Sequence, residues 1–335
     1  MTARTRSRLS TGRGRVTAAG RTRRSIPART ARATPVVVKL GGELLGDAQQ
    51  VQAVGSAIAA LQGGLPLVVV HGGGKDIDAA LARVGIAKKQ VDGLRITDEP
   101  TLDVVVSVLA GHVNTRLVAA VTAAGGDGVG LTGADGAVGL VDKAAPHVAT
   151  TGAEVDLGRV GMPAGRQAPR LIAELCRGGY IPVIASIGMS RSGELYNVNA
   201  DTFAAHLAGV LGAARLVIAG GTPGVLDESG RTIPTLDLDG IERLVAAGTA
   251  TAGMVAKLSA CRDALLRGVR EVLIVNGHDL RVLTQLVRQG SRAVVSGYTQ
   301  VRRKPSPSRT GRSGDASSRP LKVAKAPASV LTFGR

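Results

Sequence analysis

Three glycine clusters stand where apolar runs end. PVVVKL (35–40) leads into GGELL, LPLVVVH (65–71) into GGGKD, and RLVIAG (215–220) into GTPGV. A glycine pair after a strand lets backbone N–H groups approach an anion with no Cβ in the way. A helix that follows adds its positive N-terminal end. Lys39 and Lys75 stand beside two of these clusters. One cluster alone reads equally well as a tight turn. Three at the ends of strands in one sheet point to an edge that holds phosphate or carboxylate. Two further stretches place charge among apolar residues. YNVNAD (196–201) alternates Asn197 and Asn199 and then brings Asp201, which suits a polar ligand cradle; Asn199 or Asp201 also suits a helix cap. TAGMVAKLSA (251–260) carries Lys257 on an otherwise apolar helical stretch, where a solvated lysine is the plain alternative.

Other phosphate and metal chemistries have no support. The pattern G-x-x-x-x-G-K-[ST] is absent, because Asp76 follows Gly74-Lys75. G-x-G-x-x-G occurs once, as GVGLTG (128–133), and reads as loop glycines. His71, His112, His147, His206 and His278 are scattered, and none has zinc-ligand spacing. His71 reads as a packing residue of its turn. Cys176 and Cys261 are too few for a disulfide framework and read as reduced core thiols.

The elements that would position these residues alternate between strand and helix. Strands are expected at 35–40, 65–71, 180–186, 215–220, 271–276 and 291–296. Helices are expected at 48–62, 76–84, 99–124, 166–178, 199–211, 237–247, 253–267 and 280–288. The region 128–160 is Gly-rich and reads as hairpins decorating an edge. This is an α/β class: a mostly parallel sheet covered on both faces, with ligands beyond the carboxyl ends of its strands. No unbroken apolar run approaches the ~18 residues of a membrane span, so no membrane partner is expected.

The net charge of +17 lies in the ends of the chain. Residues 1–34 hold ten arginines and no acid; residues 299–335 hold nine Lys+Arg and one acid. The body between is close to neutral. The chain has only three Tyr, two Phe and no Trp, so stacking on bases is not its mode, and no specific nucleic-acid partner is expected. Both basic tails lack apolar periodicity and read as disordered extensions. The first also has the Arg-rich, acid-poor composition of an organelle transit peptide, but no apolar core of a secretory signal. A cytoplasmic location is the reading preferred.

Together these stretches resemble the amino acid kinase family, and within it the branch that phosphorylates N-acetyl-L-glutamate. The resemblance is carried by VVVKLGGELL, VVVHGGGKD, VDGLRITDEPTLDVVVSVLAGHVNTRLV, GVGLTGADG, IPVIASIGMSRSGELYNVNADT, AGGTPGVLD and TAGMVAKLSAC, which fall between about 35 and 296. It implies a three-layer αβα sandwich with a substrate lobe at 35–212 and a nucleotide lobe at 213–298. It implies that Lys39 and Lys257 neutralise the phosphoryl group and that Asp201 holds both ammonium groups. Gly42, Gly72 and Gly73 become backbone donors, and Arg95 and Asn197, with Asn199 beside them, ligands of the amino-acid substrate. Gly41, Gly42, Gly220, Gly221, Thr222, Gly224, Val225, Gly253 and Met254 become nucleotide-binding residues, within segments 220–225 and 249–257. No residue is implied as a resident metal ligand; Mg²⁺ comes with ATP. The implied product is N-acetyl-L-glutamyl 5-phosphate, on the arginine pathway. Kinases of aminoadipate or carrier-linked acids, and non-catalytic sensors of the same fold, are the alternatives. Relatives read LTDVPG or LSDVSG where this chain has AGGTPG, so Gly221 replaces an acid. The chain also lacks the N-terminal helix and G-x-G-T segment of arginine-inhibited members, which favours a homodimer over a hexamer.

A carboxylate acceptor is already ionised at neutral pH, so the reaction needs no general base. It needs two anions brought together and charge neutralised on the moving group. Removing one preorganised donor of this kind costs about 3–4 kcal/mol of transition-state stabilisation. Lys39→Ala and Lys257→Ala are therefore expected to lose turnover by roughly 10²–10³-fold with circular dichroism unchanged. Near-normal turnover in either variant contradicts the roles given to these lysines.

Overall fold

The computed structural model describes residues 34–248 and 252–303. Expectations for residues 1–33, 249–251 and 304–335 lie outside the described residues. Eight strands form one sheet: β1 (Val36–Leu40), β2 (Leu67–His71), β3 (Gly128–Leu131), β4 (Ile181–Ala185), β5 (Arg215–Gly220), β6 (Thr235–Leu236), β7 (Val272–Asn276) and β8 (Tyr298–Val301), in the order β6-β8-β7-β5-β1-β2-β4-β3. Every pairing is parallel except β7 with β8. Helices α1 (Ala48–Ala59), α2 (Gly74–Arg83), α3 (Glu99–Ala123), α4 (Arg170–Arg177), α5 (Ala200–Val210), α6 (Leu238–Ala246), α7 (Ala252–Leu266) and α8 (Leu280–Gln289) cover it.

The central strands β1, β2, β4 and β5 are buried at every position, as parallel strands between two helical layers must be. Alternate side chains serve opposite layers. Val36, Val38 and Leu40 pack with α1, α2, α3 and α8. Val37, Val70, Leu216 and Ile218 pack with α4, α5, α6 and α7. Each fully buried Val, Leu or Ile contributes about 1.5–3 kcal/mol, which is how a chain so poor in aromatics holds a core. Aspartates start several helices: Asp47 accepts from Gln50 N at 2.8 Å, Asp98 from Thr101 N at 3.1 Å and Asp279 from Val282 N at 3.0 Å.

Among the described residues, α3 is long and apolar enough to cross a membrane by length and composition. Here it packs on α1, β3 and β4, and Asp103, His112, Asn114 and Arg116 interrupt it. A π-helical stretch, Ser107–Val113, lies within it.

Two sequence expectations are corrected. GVGL of the GVGLTG motif is not loop but the edge strand β3, parallel to β4. The last strand is not SRAVVS (291–296). Gly290 and Gly297 have φ of 63° and 77°, and Val294 is fully exposed, so that stretch is a link. The strand is YTQV, where Thr299 and Val301 are buried and alternate with Tyr298 and Gln300. Residues 299–301 thus belong to the folded body and not to a tail.

Candidate active site

The strand order brings the carboxyl ends of β7, β5, β1, β2 and β4 together along one edge of the sheet. The pleat sends Lys39 to the same face as Val37, under α5 and α7. There Lys39 Nζ lies 2.9 Å from Asp201 Oδ1, with both residues 8% exposed. Asp201 is held in the first turn of α5, whose positive end favours a carboxylate. Asn199 caps that helix: its Oδ1 accepts from Asp201 N at 2.9 Å and Thr202 N at 3.1 Å. Its side-chain oxygen is therefore committed, and only its amide nitrogen is left for a ligand.

Lys257 reaches the same edge from α7. Its Nζ lies 3.2 Å from the point where a Cβ on Gly220 would stand. One turn further along α7 is Cys261. Burial pushes its thiol far up, the Asp201 carboxylate pushes it further, and the Lys257 ammonium acts the other way. Asp201 and Lys257 thus act on the same buried sulfur. Asp201, expected to hold both ammonium groups, is ion-paired here with Lys39; among the described residues no carboxylate oxygen lies within the 4.0 Å of an ion pair from Lys257.

Close approach of backbone requires glycine at 42, and side chains crowd Gly73. A Cβ on Gly42 would stand 2.8 Å from Gly73 Cα and 3.0 Å from Gly74 N, so the first two clusters are stacked. A Cβ on Gly73 would meet Leu109 Cδ2 at 2.8 Å. The N–H groups of Gly42, Gly73 and Gly74 stand at the starts of helical turns and have no intrahelical acceptor. Two expected positions differ. Gly72 N donates to Leu40 O at 3.2 Å and Gly41 N to Ala219 O at 2.9 Å, so both amides extend the ladder and neither is free for a ligand. At this turn the N–H of Gly74, and not that of Gly72, is left without a backbone acceptor.

His71 supports this turn from below. It is wholly buried, with Nδ1 3.1 Å from Gly72 O and Nε2 2.9 Å from Asn114 Nδ2. Asn114 also donates to Val183 O at 2.9 Å. The amide of Asn114 donates, so Nε2 accepts and Nδ1 carries the proton toward Gly72.

Arg95 ends a hairpin, Gln90–Val91 with Leu94–Arg95, whose Asp92-Gly93 turn has φ of 45° and 77°. Its Nη2 binds Asp78 of α2, and its Nη1 is buried with no acceptor. Burial alone would push the Asp78 carboxyl up, but hydrogen bonds from Lys88 and Arg95 outweigh it and hold the group below the usual range. Thr97 Oγ1 donates to Arg95 O at 3.3 Å and accepts from Asn197 Nδ2 at 3.1 Å. Arg95 and Asn197 are thus linked through Thr97. Arg159 fastens the surrounding loops by bonding Glu99 and Glu194 with its guanidinium 5.8 Å from the Tyr196 ring centre.

The nucleotide-side expectations divide. Gly220 and Gly221 lie at the end of β5, and Thr222 Oγ1 is buried with no partner. Gly224 is a turn glycine with φ of 102°. Val225 has its side chain in the core, Thr299 Oγ1 takes its N–H at 2.8 Å and its carbonyl accepts from Ile233 N at 2.8 Å. Gly253 is exposed and Met254 half-buried against the core. Glu43 was missed. Its carboxylate lies over Gly41 and accepts the Gly221 N–H at 3.0 Å.

The amino acid kinase family pattern matches residues 34–276. The chain belongs to the amino acid kinase family. It is 42% identical over 248 residues to an acetylglutamate kinase of Brucella abortus (strain S19), covering 72% of this chain and 83% of that enzyme. It is 40% identical over 247 residues to the acetylglutamate kinase of Methylobacterium nodulans, covering 72% and 81%. Carbamate kinase from Giardia lamblia bound to AMP-PNP shares the fold, with a TM-score of 0.57 and 16% identity over 82% of this chain and 99% of that one. Within the family fold, the two lysines, the aspartate and the stacked glycine turns of this chain share one edge.

Burial lowers the pKa of His71 to about 4, against a smaller upward pull from Gly72 O; His206 is lowered to about 4 by burial and by Arg267. In the unfolded chain both protonate near 6.5. Between these values the unfolded chain binds more protons, so stability is full above pH 6.5 and falls as pH drops towards 4. Chemical denaturation across that window should show the decline; a flat profile contradicts the neutral, buried state of these rings.

Proposed function

We propose that this chain transfers the γ-phosphoryl group of ATP to the side-chain carboxylate of N-acetyl-L-glutamate, in arginine biosynthesis. The observation that carries the reading is the buried Lys39–Asp201 pair, with Lys257 at the same sheet edge, beside the stacked turns of Gly42 and Gly73. The identity to acetylglutamate kinases supports the choice of acceptor.

The roles follow from charge. Asp201 is ion-paired with Lys39, so it serves to hold an ammonium group in place. The amides of Gly42, Gly73 and Gly74 are fixed dipoles that meet the phosphoryl oxygens without reorganising. Lys39 and Lys257 neutralise charge as the two anions approach. The open Nη1 of Arg95 is a buried donor awaiting an acceptor, which an acceptor carboxylate supplies. Asn197, tied to it through Thr97, lines the same place. Thr222 Oγ1 offers a further open polar group beside the nucleotide turn.

Among the described residues no group of three or more His, Cys, Asp and Glu comes together for a metal. Mg²⁺ would arrive on ATP, held chiefly by phosphate oxygens; its contribution would be to draw charge from the leaving phosphates. A homodimer completes the proposal. It is supported by the open edge of β3 and by the shallow groove beside it, lined by Ala110, Thr115, Val118 and Ala119 of α3.

A coupled ADP-release assay with N-acetylglutamate, glutamate, aminoadipate and no acceptor, run on a preparation sized by light scattering, tests this reading. Turnover that depends on N-acetylglutamate, from a particle of twice 34.0 kDa, is the expected result. Activity on aminoadipate alone overturns the acceptor, no activity on any of them favours a sensor, and an active monomer removes the dimer.

A further inference from the structure

Glu43 is the acid at this edge that the mechanism above leaves unused. It lies in the tight turn Gly42–Leu44 directly after β1. Its carboxylate folds back against Gly41 and joins the turn after β1 to the turn after β5 through the 3.0 Å bond from Gly221 N. Its Oε1 is 3.1 Å from the point where a Cβ on Gly220 would stand, and Lys257 Nζ is 3.2 Å from that same point. Opposite charges therefore crowd one spot on the rim, and no ion pair holds Lys257 among the described residues.

An acid here acts in two opposed ways. It orders the Gly221 amide and draws the Lys257 ammonium to the rim, and it repels an incoming polyphosphate. The geometry favours ordering, since the carboxylate already holds the Gly221 N–H. Gly221 is exposed and has no side chain to anchor it. Lysine has among the largest side-chain entropies to lose when it is fixed. Groups ordered before binding cost nothing at the moment of binding. We propose that Glu43 is a positioning residue for the nucleotide: it fixes the Gly220–Gly221 turn and steadies Lys257, so that ATP meets a preformed cradle. This rests on the kinase reading above.

Gly221 has no left-handed φ, and a Cβ there would find only Glu43 Cγ, at 3.6 Å. An aspartate at 221 is therefore tolerated by the backbone and projects toward the space that Glu43 fills. This makes the acid movable. Glu43→Ala should weaken ADP binding in calorimetry and raise KM for ATP about tenfold, the loss of one charged hydrogen bond. KM for N-acetylglutamate should change by less than about twofold, since its ligands lie elsewhere. The double variant Glu43→Ala/Gly221→Asp should recover most of the nucleotide affinity. A change that merely loosened the fold would not be rescued in this way, and thermal melting of each variant checks it. Unchanged or tighter ADP binding in Glu43→Ala overturns the proposal, as does a double variant no better than the single one. ADP binding is read without an acceptor. A wild-type chain that binds ADP yet phosphorylates nothing therefore overturns the kinase reading and leaves the calorimetric comparison to decide the role of Glu43.

Discussion

The ion pair between Lys39 and Asp201 is the constraint on which the site depends. Lys39 sits within a strand whose other residues are all buried and apolar. Leaving one partner of such a pair uncompensated costs about 3–5 kcal/mol, while an apolar replacement of both is often neutral or stabilising. Stability alone gives no reason to keep this pair. A reaction between two anions does, because a desolvated ammonium acts on charge far more strongly than one in bulk water.

The rest of the fold serves that charge. Parallel pairing of β5, β1 and β2 puts three strand ends at one level. Alternation sends Lys39 towards α5 and α7, so Asp201 and Lys257 come from helices and the amides from turns. The ladder continues one residue into each turn, through Gly41 and Gly72, and this fixes the turns before any ligand arrives. His71, neutral and bonded to Asn114, then joins the turn to α3. The cradle is a rigid extension of the sheet.

Much of this was legible in the chain. Val36–Leu40, Leu67–His71 and Arg215–Gly220 are runs rich in β-branched or aliphatic residues, each followed by glycine, and each forms the strand read from it. Lys39 and Asp201 stood out as charges at a strand end and a helix start, and the resemblance to the family is what paired them. What escaped was set by register and by distant contacts. That Gly72 is spent on Leu40 depends on how β1 aligns with β2, which composition does not state. Glu43 gives no signal of its own within GGELL, because its partner Gly221 is 178 positions away. The apolar run AVV looked like a strand, but the glycines at 290 and 297 isolate it and the alternating YTQV pairs with β7 in its place.

The account stands on two ammonium groups converging across one gap. A crystal structure with a non-hydrolysable ATP analogue and N-acetylglutamate measures this directly. Both Lys39 Nζ and Lys257 Nζ should lie within hydrogen-bond reach of the terminal phosphoryl oxygens, with Gly42 and Gly73 N–H facing them from the turns. If either lysine points away from the space between the two ligands, the electrostatic account is wrong.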